Sequence, residues 1–272
     1  MATASYLAFG ILAAASWGYI LGAGDSGIAD LFLGDTWRSV GDFLGRLVGI
    51  GLDSRPAFLT GEAWARGGLQ AIDTLAMSVL AIGIAGAAVL LTFLPAARNV
   101  AFGELSGSNS WLGKPAYFLL RGAFAFSRGV PELLWAMIIV FMLSPGILPG
   151  AIALAVHNYG IVGKLGAEVV ENLDPRPARA LRASGANGFQ MLAYVILPQA
   201  LPQLLTILLY RWEVVIRTTI VVGFVAAGGL GHEFRLRMSW FHYDEIALLL
   251  LYYLLLVILV DLVSAGLRRL AR

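Results

Sequence analysis

Between Asp174 and Gln203 the chain reads DPRPARALRASGANGFQMLAYVILPQALPQ. Asp174 is suited to cap a helix, and Pro175 and Pro177 to sit in its entry turn, so a short helix carrying Arg176, Arg179 and Arg182 is expected. Gly185 then breaks the pattern, a second short amphipathic helix holds Phe189, Met191 and Leu192, and Leu197-Pro198 begins the climb into apolar sequence. Long apolar stretches flank the hairpin, about Ile147 to Val170 before it and Pro202 to Ala226 after it. By itself such a segment reads either as an interfacial loop or as a docking surface, and its apolar side chains on a water-facing hairpin suit docking.

Composition explains the flanks. Of 272 residues 59% are hydrophobic and 13% charged, with mean hydropathy +0.79. A soluble domain carries about 25% charged residues, so this chain cannot clothe a water-facing surface and reads as an integral membrane protein. The absence of cysteine excludes disulfide staples, thiolate zinc sites and cysteine nucleophiles. A net charge of +2 is too small to indicate nucleic acid.

Charge-free stretches locate the crossings: Met1 to Gly24, Thr74 to Ala97 and Leu133 to Gly163. The first lacks the basic n-region of a signal peptide and reads as a retained helix, with a cleaved leader as the alternative. The third is broken by Ser144-Pro145-Gly146 and Pro149-Gly150. Its upstream helix must therefore start near Tyr117, take in Arg121, Arg128 and Glu132, and bend at Pro131. With Ile147 to Val170, Pro202 to Ala226 and Glu245 to Leu267, six spans are expected. An all-α membrane fold follows. If the amino terminus is cytoplasmic, inside loops hold nine Lys and Arg and outside loops six, which favours cytoplasmic location of both termini.

Residues 1–24 form the first helix, 25–68 a polar segment, and 69–272 the remaining spans, with the hairpin at 174–198. Within 25–68, Trp37, Val40, Leu44, Leu47 and Val48 recur at helical spacing. That suits an amphipathic helix on the membrane surface, or else a small packed extracytoplasmic cap. Gly18, Gly22, Gly83, Gly86 and Ala87 offer close-packing faces. No P-loop is present: near Gly107 to Pro115 the Gly113-Lys114 pair is followed by proline, and Gly160 to Leu165 does not fit. His157, His232 and His242 are scattered, and no zincin motif or nucleophile elbow occurs, which argues against a hydrolase.

The hairpin resembles the EAA loop of ABC-transporter permeases, with Gly185 at the motif glycine and Val195-Ile196-Leu197-Pro198 at the required offset. Arg179 stands where that family has its glutamate, followed by Ala180 and by Leu181 in place of the second alanine. Five stretches resemble the phosphonate-permease branch: RGVPELLWA at Arg128 to Ala136, LAVHNYGIVGKL at Leu154 to Leu165, LPQALPQ at Leu197 to Gln203, YRWEVVIR at Tyr210 to Arg217 and VGFVAAGGLG at Val222 to Gly231. The resemblance implies a type I importer core of five helices plus an N-terminal accessory helix, in a bacterial inner membrane. It implies a permease dimer (homo- or heteromeric), two ATPase subunits carrying ATP and Mg, and a periplasmic or lipid-anchored protein delivering phosphonate, phosphite or phosphate. Arg179, Ala180, Arg182, Gly185, Leu197 and Pro198 are then the coupling residues. No cofactor is implied on this chain.

Arg211, Glu213 and Arg217 lie within the fifth expected span. A charge there costs roughly 3 kcal/mol on insertion scales, so it usually faces a pore or a partner. Arg217, together with Arg211, reads as a positive stop for an anion. Ion pairs with Glu213 or Glu132, and snorkelling of Arg211 to headgroups, are the structural alternatives. Arg128 and Glu132 suit an inter-helix role around Pro131. His157 suits either packing or the pathway. Gly228, Gly229 and Gly231 suit a tight extracytoplasmic turn, with contact to a docked binding protein as a further option. A secondary transporter would need internal repeats, which are lacking, and a non-transporting assembly subunit gives no reason for a docking hairpin.

Overall fold

A computed structural model describes residues 2–23, 27–51, 55–105 and 113–270, and every regular element among them is helical. Gly24, the first residues of the rejected Gly107 to Pro115 stretch, and Arg272 lie outside the described residues. The chain divides into two units, Met1–Pro56 and Ala57–Arg272.

In the first unit, α1 (Ala2–Gly22) is apolar throughout, and a 3-10 turn (Ala29–Phe32) precedes α2 (Gly34–Leu47). Trp37 donates its indole N–H to the Leu31 carbonyl at 2.9 Å, and Arg38 pairs with Asp35. None of the α2 side chains is buried, so its apolar stripe of Trp37, Val40 and Leu44 lies open.

The second unit begins with a 3-10 turn (Ala57–Leu59) and α3 (Gly61–Thr92). There follow α4 (Arg98–Ala101), α5 (Gly113–Gly129), α6 (Glu132–Met142) and α7 (Ile147–Glu171). The hairpin is α8 (Arg176–Ala183) and α9 (Gly188–Met191), and a π turn (Leu192–Ile196) leads into α10 (Leu197–Val222). A second π turn (Gly223–Ala227), α11 (Gly229–Ser239) and α12 (Tyr243–Leu270) complete it. Helix α7 is the hub, packed against α3, α5, α6 and α10. One apolar cluster (Val89, Phe93, Phe124, Val162, Ile196, Leu204) sits toward the hairpin, and another (Met77, Ala81, Leu154, Val215, Val222) lies farther along α7 and α10.

Among the described residues, four helices are long and apolar enough to cross a membrane: Thr3–Gly22, Gly61–Thr92, Gly188–Val225 and Tyr243–Leu270. The α5–α6 pair makes up to five. The expected count of six also included α7, which is not among these because His157, Asn158 and several glycines dilute its apolarity. The expected bend at Pro131 is a 94° break. Proline drives its predecessor Val130 out of the helical region and has no N–H of its own, so α5 ends at Gly129 and α6 restarts beyond Pro131. The fifth expected span is also longer than the sequence suggested. It runs unbroken from Gly188, and Pro198 falls in the first turn after the π segment, where a missing N–H disturbs little.

Glycine decides how closely the helices approach. A Cβ on Gly160 would lie 2.6 Å from the Phe124 carbonyl oxygen and 2.7 Å from the Arg128 nitrogen, so α5 and α7 touch backbone to backbone there. Gly231 meets the Gly223 Cα across the α10–α11 turn, at 2.9 Å from its would-be Cβ. Of the five small positions singled out in the sequence, Gly86 packs on Leu208, whereas Gly18, Gly22 and Gly83 have nothing within 4 Å of a would-be Cβ. Gly160→Ala is expected to lower stability by about 1–3 kcal/mol through overpacking, read as a fall in the thermal midpoint of the purified protein, while Gly83→Ala leaves it unchanged.

Candidate functional site

The Pro131 break leaves backbone groups to be satisfied inside an apolar bundle. His157 does this on one side: its Nδ1 lies 3.0 Å from the Val130 carbonyl, which can only accept, so Nδ1 carries the proton. Its Nε2 faces Glu132 at 3.8 Å, and Glu132 sits in the first turn of α6, where a carboxylate is favoured by the helix dipole. The neighbouring Asn158 is fully buried. It donates to the Leu154 carbonyl at 2.7 Å, and its Oδ1 accepts from Arg211 Nε at 2.9 Å and from a terminal guanidinium nitrogen at 2.7 Å. Glu132 also attracts Arg211 at longer range. Pro131, Glu132, His157, Asn158 and Arg211 thus form one polar seam across α6, α7 and α10.

Each helical residue advances 100°, so Tyr-Arg-Trp-Glu on α10 addresses three neighbours in turn. Arg211 reaches α7. Trp212 donates to Ser78 of α3 at 3.1 Å. Glu213 pairs with Arg268 of α12, and Arg268 also donates to Ser264 at 2.7 Å. Arg217, one turn beyond Glu213 on the same face, pairs with Asp261 of α12 at 3.0 Å. Glu213 and Arg217, four residues apart on one face, therefore each find a counter-ion on α12 rather than in the other. The Arg217–Asp261 pair is open, at 49% and 41% side-chain exposure, whereas Glu213 is 14% exposed.

At the far end of α7, Glu171 accepts the Arg98 backbone N–H at 2.8 Å and pairs with Arg121, which also donates to the Ala96 carbonyl. This knot ties α3, α4, α5 and α7 together just before the hairpin. The Asp174 carboxylate accepts the Arg176 N–H at 3.0 Å, Gly185 turns the chain at φ +89°, and Asn187 with Gln190 forms a reciprocal capping box at 2.9 Å each way. Buried Ala178, Met191 and Ile196 hold the hairpin down, leaving Arg179, Ala180, Arg182, Gly185 and Pro198 exposed, with Leu197 partly so.

The remaining candidates fall elsewhere. Arg128 is exposed and, among the described residues, makes no ion pair with Glu132, which faces His157 instead. Gly228 (φ +91°) and Gly229 (φ +71°) reverse the chain, but Gly229 and Gly231 are buried. They meet Thr74, Ile220 and Gly223, and Thr74 caps α11 by accepting the Leu230 N–H at 2.8 Å. Asp261, Ser78, Ser264 and the pairing role of Arg268 were missed by sequence reasoning. The available signal was that Asp261 and Arg268 lie seven residues apart, on one face of their helix.

The described residues thus form a bundle of long helices with an exposed hairpin between α7 and α10. Residues 99–271 match the family of binding-protein-dependent transport system inner membrane components, and the chain belongs to that family. It is a permease subunit of an ABC importer, a multi-pass inner-membrane protein whose family works with ATPase and substrate-binding partners. The chain is 38% identical over 79% of its length to the phosphite transport system permease protein PtxC of Stutzerimonas stutzeri, covering 73% of that protein. It is 33% identical over 75% of its length to the phosphate-import permease protein PhnE of Mycolicibacterium smegmatis, covering 37% of that longer protein. Among solved structures it resembles an inward-facing MetNI methionine ABC transporter chain, with TM-score 0.63, 19% identity, and coverage of 78% of this chain and 99% of that one.

Arg268→Ala strands a largely buried carboxylate and is expected to cost about 2 kcal/mol or more. Arg217→Ala opens an exposed pair and should cost no more than about 1 kcal/mol. Thermal unfolding of the two purified variants side by side checks that order.

Proposed function

We propose that this permease moves a phosphorus oxyanion of the phosphite, phosphonate or phosphate class, and that Arg211 is the group the anion meets. The observation that carries this is the environment of Arg211: a half-buried guanidinium in the middle of a spanning helix, held by a neutral amide and, among the described residues, by no ion pair. A cation held at that depth by an amide, with Glu132 attracting it only from longer range, is costly unless an anion visits it. A guanidinium has five N–H donors and Asn158 takes two, which leaves donors in the planar arrangement that suits oxyanion oxygens. The names of the similar permeases supply the substrate class. Arg217, already neutralised by Asp261, is a second-rank candidate, and His157 serves the seam by holding the Pro131 break.

The proposed transport cycle is one of alternating access. Two permease copies enclose the pathway, two ATPase subunits with ATP and Mg engage α8 and α9, and a binding protein delivers the anion from the other side. ATP binding draws the hairpins together and tilts α7 and α10, which carry the two halves of the Arg211–Asn158 contact, so closure changes how the guanidinium is presented. Both termini are cytoplasmic, α1 is an accessory helix, and α2 rests its Trp37, Val40 and Leu44 stripe on the membrane surface.

In proteoliposomes holding the permease, its ATPase and its binding protein, Arg211→Ala is expected to reduce anion uptake by about 100-fold, since a charged hydrogen-bonded contact is worth about 1.5–3 kcal/mol or more when desolvated. Basal ATP hydrolysis should persist. Arg217→Ala should retain most uptake; equal loss in both variants, or none in Arg211→Ala, refutes the assignment.

A further inference from the structure

The coupling hairpin carries its charge in an unusual balance. Its first helix places Arg176, Arg179 and Arg182 on one arc, each three residues from the next, around the small exposed residues Ala180 and Ala183. The carboxylates that flank the hairpin in sequence are already engaged: Glu168 with Lys164 at 3.3 Å, Glu171 with Arg121, and Asp174 with Arg176 at 3.8 Å. Arg179 and Arg182 are exposed and, among the described residues, have no ion pair. Beside them, Leu181, Ser184, Gly185, Ala186, Gln190 and Tyr194 line an open groove of about 320 Å³. Phe189 and Tyr194 stand out at 77% and 73% exposure.

We propose that the ATPase subunit that fits this hairpin presents carboxylates opposite Arg179 and Arg182, so that charge selects the cognate motor. The inference rests on α8 and α9 being the coupling element and names the chemistry of what seats on it. Arginine and exposed aromatics together are the composition of a protein–protein contact centre. Guanidinium forks match carboxylates bidentately, and an uncompensated cation pressed against a basic groove is repelled. The hairpin is pre-formed by its capping box and the Gly185 turn, so little ordering is needed on docking.

Because the chain contains no cysteine, a single Ala183→Cys places one cross-linking site on the hairpin of the full-length permease. In nanodiscs of zwitterionic lipid, titrated with the purified cognate ATPase subunit, that site is expected to cross-link to it. Affinity should fall between 50 and 500 mM salt, by about tenfold on replacing Arg179 or Arg182 with Ala, and further on Arg179→Glu with Arg182→Glu. Lysine at both positions should retain much of the binding, and changing the carboxylates found at the cross-link to Lys should rescue the double Glu variant. Unaltered thermal midpoints show that the variants fold. A cross-link with salt-insensitive binding and no effect of the Glu pair overturns the proposal while leaving the coupling reading intact; no cross-link to bound ATPase overturns both. Loss of binding to anionic vesicles alone, with ATPase affinity unchanged, assigns the arginines to lipid and also overturns it.

Discussion

A polar group carried into an apolar bundle must find its partner inside that bundle, and this requirement organises the permease around α10. Arg211, Trp212 and Glu213 occupy consecutive positions and so radiate to α7, α3 and α12, each ending on a polar atom. Three packing neighbours are thereby set in rotational register by one tripeptide. Because the penalty for an unmade contact is high in low dielectric, these contacts act as keys that specify a single arrangement more than they add net stability.

The same requirement accounts for what surrounds the break at Pro131. Pro131 frees backbone groups, His157 takes up one of them, and the helix that restarts at Glu132 brings a carboxylate to the edge of the seam. Next to it, Gly160 lets α5 come against α7 backbone to backbone. On α7, a histidine, an asparagine and a glycine within four residues of one another thus serve the kink, the Arg211 contact and the close approach of α5. They place a polar seam along a helix less apolar than the other long helices.

Much of the fold was legible from local pattern. Charge-free lengths marked the helices, proline and glycine marked their breaks, and the sequence from Asp174 to Gln203 announced the hairpin with its glycine turn, though not the Asn187–Gln190 capping box. The severity of the Pro131 break was not legible: a proline within a span is compatible with a small kink or a right angle, and only the packing of α6 on α7 selects between them. Nor was the extent of close packing, since Gly83 and Gly160 look alike in the chain while one faces open space and the other a neighbouring backbone.

Ionic partners divide most sharply. Periodicity was enough to place Glu213 and Arg217 on one face, because that depends only on the 3.6-residue repeat. It did not reveal that Asp261 and Arg268, more than forty residues away, would take one each, or that Arg211 would end on an uncharged amide. The amino-acid order by itself determined which residues are helical, which are too polar for lipid and which segment faces water. Which charge meets an opposite charge and which meets an amide was decided by tertiary contact, since pairing depends on the distance between helices and sequence encodes only position along them.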